Sequence, residues 1–174
     1  PVLHIFPHWN WQKDQEVDVW AYYNNADEVE LFLNGKSLGK KAKQNDDLHI
    51  SWRVKYEPGT LKAISRKDGK VVLEKEIHTA GTASKIDLKV NKSIIKNDTY
   101  DLVYVTVSIV DKNGNLIPNA DHKIDFEVTG GGKLVGVDNG YQANLESFKA
   151  SSCKVFNGKC IAIIQSNGNK KGSQ

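Results

Sequence analysis

Apolar and polar residues alternate along most of this chain with a period of two, the signature of half-buried β-strands, while the 3.6-residue period of an amphipathic helix is hardly found. Val17, Val19, Ala21 and Tyr23 make one face of a first clear strand, and Val29, Leu31 and Leu33 make one face of the next, with Asn24-Asn25-Ala26-Asp27 turning between them. Asn34-Gly35 predicts a tight hairpin. Leu48, Ile50, Trp52, Val54 and Tyr56 form the longest alternating face of the first half. It stops at Glu57-Pro58-Gly59, where proline presets its φ and glycine is free to take a positive one. Strands from Leu61 to Ser65 and from Val71 to Thr79 follow, joined at Asp68-Gly69.

The stretch Thr79 to Ser84 is small, polar and unpatterned, which predicts a domain boundary. Ile86, Leu88 and Val90 restart the alternation, and Val103, Val105, Val107 and Ile109 continue it to a turn at Asp111-Lys112-Asn113-Gly114. Ile124, Phe126 and Val128, then Leu134 to Val137, then Lys159 to Gln165 supply the rest, with Gly130-Gly131-Gly132 interrupting. Short strands with turn signals roughly every 8 to 12 residues are what a β-sandwich looks like in sequence. The expectation is an all-β chain of two tandem immunoglobulin-like sandwiches: residues 1–80, a linker at 81–84, and residues 85–174. Such a domain needs about seven strands and only about six are readable after Ile86. The second sandwich is therefore expected to lack its closing strand, the tail from Ser166 having a turn composition, and to self-associate through the bared edge.

Composition narrows the function classes. The 174 residues carry a net charge of +3, from 24 basic and 21 acidic residues spread along the chain, so no field points to nucleic acid. No apolar run approaches the ~20 residues needed to cross a bilayer, and membrane insertion is not expected. The chain begins at Pro1 and contains no methionine, which predicts a piece of a longer protein. Cys153 and Cys160 flank an Asn157-Gly158 turn of the I′ kind. That register would pair Val155 with Cys160 and Cys153 with Ala162, leaving the thiols diagonal at about 7 to 8 Å and free.

Candidate chemistry is thin. Two carboxyl groups about 5 to 5.5 Å apart are what a retaining glycosidase needs. Glu28 and Glu30 share one strand face with Cα atoms roughly 6.6 Å apart, but that face is opposite Val29, Leu31 and Leu33 and should be solvated. Glu74 and Glu76 meet the same objection. His4 and His8 have no third ligand at metal spacing, and a hairpin turn accounts for Asp111 to Gly114, whose glycine falls at the fourth position instead of the sixth of a calcium loop. No metal and no cofactor are expected. Asn91-Lys92-Ser93 and Asn97-Asp98-Thr99 match the glycosylation acceptor and read as loop residues. Trp52 belongs to a core face, whereas Trp20 lies opposite Val17, Val19 and Ala21.

The runs PHWNW (Pro7 to Trp11) and EVELFLNGKSLG (Glu28 to Gly39), with Trp52, YEPGTL and the Thr79-Ala80-Gly81 boundary, resemble the domain after the catalytic barrel in bacterial family 2 β-galactosidases. DLVYVTVSIVDKNGNLIPNA and Val137-Asp138-Asn139-Gly140 resemble the domain that follows. The resemblance implies a non-catalytic accessory region, since the family's two catalytic glutamates lie on a TIM barrel and no position here matches their motifs. It also implies that barrel as the partner within the parent chain, and a periplasmic, cell-surface or secreted location. His8, Trp9, Asn10 and Trp11 would then sit near the junction, packed against the barrel or touching sugar. A carbohydrate-binding module, suggested by the Trp-rich first half, and an adhesin-type stalk are the alternatives.

Overall fold

A computed structural model describes residues 1–98 and 100–168. No helix occurs among them, and the chain divides into two β units, Pro1–Ala80 and Gly81–Gln174.

In the first unit a three-stranded antiparallel sheet contains β1 (Val2–Phe6), β2 (Glu16–Asn24) and β5 (Ile50–Lys55), in the order β1-β2-β5. A four-stranded sheet in the order β4-β3-β6-β7 contains β3 (Glu28–Leu33), β4 (Lys36–Lys41), β6 (Thr60–Lys67) and β7 (Lys70–His78). The alternation explains the layers. Cross-strand neighbours Ile5 and Ala21, Val19 and Trp52, and Leu31 and Ala63 all point inward and are buried, while the residues between them face out. Hairpin chemistry works as expected at Asn34-Gly35, where both residues have positive φ. Asn34 goes further: its side chain donates to the Pro58 carbonyl and accepts the Thr60 N–H, clamping the Pro58-Gly59 turn from 24 residues away. Gly59, at φ 139°, is required there, because a Cβ would land on the Asn34 side chain. Two expectations change. Leu48 lies outside any strand and is 78% exposed, so the long alternating face begins at Ile50. The strand β1 was hidden because the run Val2 to Phe6 is nearly continuous in apolar and aromatic residues.

The second unit holds a four-stranded sheet in the order β11-β13-β9-β8, built from β8 (Lys85–Val90), β9 (Leu102–Val110), β11 (Gly132–Asp138) and β13 (Lys159–Ser166). Two short strands, β10 (Lys123–Asp125) and β12 (Ser152–Lys154), make a second, two-stranded sheet. The turn at Asp111 is as read from the sequence, with Gly114 at φ 87° donating to the Asp111 carbonyl. Gly81 and Ser84 are already bound into this unit, through the Asp111 carboxylate and the Val110 carbonyl. Asn91 and Asn97 lie in the loop between β8 and β9, while Thr99 and the tail from residue 169 lie outside the described residues.

The cysteine register needs correction. The Asn157-Gly158 turn forms, closed by Phe156 and Lys159, but the two arms part at once into different sheets. Cys153 pairs with Ile124 and Cys160 with Val107, because the Val155 N–H is taken by the His122 carbonyl. Both thiols are free and buried, Cys153 donating to the Lys154 carbonyl at 3.6 Å, and they face each other from two different sheets instead of lying diagonally in one.

Candidate functional site

The segment from Pro7 to Trp11 leaves the end of β1 and closes one end of the first unit. Trp9 is 0% exposed and belongs to the hydrophobic core of that unit. Its indole packs edge-on against Tyr56, with ring centroids 5.2 Å apart, and its N–H donates to the Glu57 carbonyl at 3.0 Å. Its own carbonyl accepts from the Thr79 hydroxyl at 2.8 Å. The Asn10 side chain copies a β-bridge onto the same departing strand, donating to the Ala80 carbonyl and accepting the Ala80 N–H, each at 2.9 Å. Trp11 stacks on His8 with centroids 4.5 Å apart and donates to the His8 carbonyl at 2.7 Å. His8 Nδ1 accepts the Asn10 N–H, and burial holds the ring below its ordinary pKa, which favours that acceptor form.

The structure therefore brings His8, Trp9, Asn10 and Trp11 together, but around the chain's own backbone. The placement of Trp9 outside the sandwich core is corrected: a side chain with no exposed surface cannot meet a sugar or another domain directly. In the sequence Trp9 shares the parity of Leu3 and Ile5, the inward face of β1, although the strand itself ends at Phe6. His8, Asn10 and Trp11 keep part of their surface in solvent. The hydrogen bonds of the group make it a clamp joining residues 9–11 to Thr79 and Ala80.

The paired carboxylates are engaged elsewhere. Glu28 meets Lys40 at 2.7 Å, Glu74 meets Lys62 at 2.6 Å with Glu76 at 3.5 Å from the same ammonium, and Glu30 accepts from Ser37 and Arg66. The Glu30–Arg66 pair is better shielded than a solvated strand face, because Phe32 and Ile64 flank it on the outside of the sheet. Each carboxylate faces a cation across the strands, an arrangement that stabilises a sheet. Among the described residues there is no group of three or more His, Cys, Asp or Glu that could hold a metal ion.

A second cluster went unread in the sequence. On the outward face of β1 and β2, His4 lies opposite Tyr22 and Phe6 opposite Trp20, with His49 beside them. Phe6 and Tyr22 lie nearly parallel at 11° with centroids 5.8 Å apart, Phe6 meets Trp20 edge-on at 5.3 Å, and His49 stacks on Trp20 at 4.3 Å. Of its members the sequence places only Trp20, on the far side of its strand face, and pairing across strands assembles the rest.

Comparison with known proteins places this architecture. Residues 86–173 match the glycoside hydrolase family 2 C-terminal domain 5, and residues 14–73 match a domain of unknown function. The chain is 55% identical, over 96% of its length, to the beta-galactosidase BoGH2A of Bacteroides ovatus, and it spans about a fifth of that protein (20%). It superposes on a beta-glycosidase from Bacteroides vulgatus with a TM-score of 0.89 at 33% identity, covering 97% of this chain and 22% of that one. A family 2 member from Bacteroides cellulosilyticus gives a TM-score of 0.90 at 33% identity, covering 98% and 26%. Carrying that family's own C-terminal domain, this chain belongs to glycoside hydrolase family 2, as an all-β accessory region outside the catalytic domain.

Proposed function

We propose that the parent protein hydrolyses terminal β-galactosides and that this chain supports and positions its catalytic domain without taking part in the chemistry. The observation that carries the reading is the 55% identity, sustained across 96% of the chain, to one fifth of a protein named as a beta-galactosidase. The geometry agrees with it, because the strand-face carboxylates Glu28, Glu30, Glu74 and Glu76 are each held by lysine or arginine. The reading also carries the periplasmic or cell-surface location implied by the resemblance, which fractionation of the source cells would test.

The main experiment compares three proteins on a chromogenic β-galactoside: the parent, the parent with this region deleted, and the 174-residue chain alone. The parent should turn over, the chain alone should not, and the deletion should lower kcat/KM or stability. Turnover by the chain alone, abolished by replacing one of its glutamates, would sink the reading. A second reading, direct contact with sugar, draws on the partly exposed Trp11 beside His8. It requires Trp11→Ala in the parent to raise KM for an extended galactoside and not for the chromogenic one.

A further inference from the structure

The outward face of the β1-β2-β5 sheet is divided into two halves of opposite character. In one half the cross-strand neighbours are Glu16 with Lys55 and Asp18 with Arg53. Arg53 grips Asp18 through two hydrogen bonds of 2.9 and 2.8 Å, and Lys55 reaches Asp14 at 2.9 Å. That half is complete in water. In the other half the same strands present Phe6, Trp20 and Tyr22, flanked by His4 and His49, with no ion pair among them.

We propose that this aromatic half-face is the seat of the parent's own catalytic domain. The inference rests on the accessory reading above and names the surface through which that support is given. Three observations select the occupant. The chain spans only 20% of its 55%-identical relative, so a family 2 parent carries its catalytic domain outside this region and in the same chain, within reach of this face. The rings are turned on one another: His49 covers one face of the Trp20 indole, Phe6 meets Trp20 edge-on and lies parallel to Tyr22, so they present an interlocked patch in place of the free, separate ring face on which a pyranose stacks. The composition is also right for the centre of a protein interface: Phe6, Trp20, Tyr22 and His49 each keep part of their ring surface in solvent beside an exposed His4, a contiguous aromatic patch of the kind that anchors a protein contact. Apolar centre and ion-paired margin together are the anatomy of such a contact.

Ser51 lies opposite Trp20 within the aromatic half and is exposed, and Glu16 is exposed in the charged half. The test places a single reporter thiol at either position in the full-length parent after its native cysteines, Cys153 and Cys160 included, are replaced by alanine, as Ser51→Cys or Glu16→Cys, and follows its reaction with a maleimide. The thiol at 51 should react about tenfold slower than the thiol at 16, as in the desolvated centre of an interface, with the difference lost in urea. Adding Trp20→Ser to Ser51→Cys should restore the fast reaction and lower kcat/KM. Equal rates in the native parent would overturn the proposal. So would protection that appears only with added galacto-oligosaccharide, which marks a sugar site, or protection that fades on dilution, which marks a second copy. Should the deletion lacking this whole region keep full kcat/KM and stability, the accessory reading falls while the thiol at 51 still reports whether this face is covered.

Discussion

Leu31 in β3 and Val107 in β9 sit in the middle of four-stranded sheets, and both have no exposed surface. One strand further out the two units diverge. In the first unit Leu38 of β4 and Leu73 and Ile77 of β7 still pack against the core. In the second, Ile86, Leu88 and Val90 of β8 pair with Ile109, Val107 and Val105 and point the same way as those inward residues, yet they are 52%, 62% and 52% exposed. The difference lies in the opposing layer. A three-stranded sheet with strands of five to nine residues lies over the first sheet, whereas β10 and β12 have three residues each and bury only the middle of the second, around Ile124, Cys153 and Cys160. Identical alternation thus gives a closed core in one place and a bare inner face in another, because burial is a property of two layers.

The largest effect is expected where the closed unit is tied shut. Trp9→Ala removes a fully buried indole, the partner of Tyr56 and a hydrogen bond to Glu57. A loss of about 3 to 5 kcal/mol is expected. At roughly 4 to 8 °C per kcal/mol for a unit this small, thermal denaturation should fall by more than about 10 °C. Trp11→Ala should cost much less, since Trp11 keeps solvent contact and bonds only the neighbouring His8 carbonyl. Equal losses would return Trp9 to the surface and break the contrast.

Strand faces were legible wherever both layers are wide: Val17 to Tyr23, Val29 to Leu33 and Ile50 to Tyr56 lie as their parity predicts. The inward exposure of Leu88 was not legible, because nothing in β8 itself records the width of the sheet above it. The aromatic half-face escaped for a related reason, as Phe6, Trp20 and His49 come from separate stretches and meet only through register. Cys153 was misplaced because the Asn157-Gly158 signal reports a turn and says nothing of whether its arms stay in one sheet.

The second unit should show its own weakness in acid. Asp111 is 2% exposed, and its carboxylate accepts from the Gly81, Asn113 and Asn115 N–H groups and from the Asn115 side chain. The Gly81 N–H, followed by the donors from Asn115 and Asn113, holds its pKa down to about 2 against an ordinary 3.8. A depressed acid stabilises the fold above its unfolded value. The contribution is therefore complete above pH 3.8 and fades as pH falls toward 2. Asp111→Ala should lower the melting temperature by several degrees at pH 7 and flatten the acid limb between pH 4 and about 2; an unchanged limb would remove Asp111 from that role.

A smaller effect tests opening directly. Burial raises both thiols, and Cys160, with Cys153 beside it, is pushed up to about 12, so neither supplies much thiolate near neutrality. Native chain should react slowly with iodoacetamide at pH 8 and yield two thiols once denatured. Asp111→Ala should speed the native reaction, as it loosens the unit that holds the cysteines, and Trp9→Ala should leave it nearly unchanged. The opposite ranking would mean that the two units do not open separately.

The smallest effect belongs to the bare edge. Replacing Ile86, Leu88 and Val90 together with threonine puts a β-branched, strand-favouring side chain at each position while removing most of the apolar surface. A buried aliphatic side chain contributes about 1.5 to 3 kcal/mol, but these three already meet water over half their area, so each replacement in the isolated chain should cost no more than about 0.5 kcal/mol. Val107→Thr, one strand inward, buries a hydroxyl and should cost about 1 to 3 kcal/mol. Association should move the other way: an uncovered apolar strand at a sheet edge recruits copies of itself, so sedimentation of the unaltered chain should show mass rising with concentration, and the triple variant should show less. A triple variant as damaged as Val107→Thr, and no more monomeric than the parent sequence, would mean that β8 is covered in solution and that the two units close their cores alike.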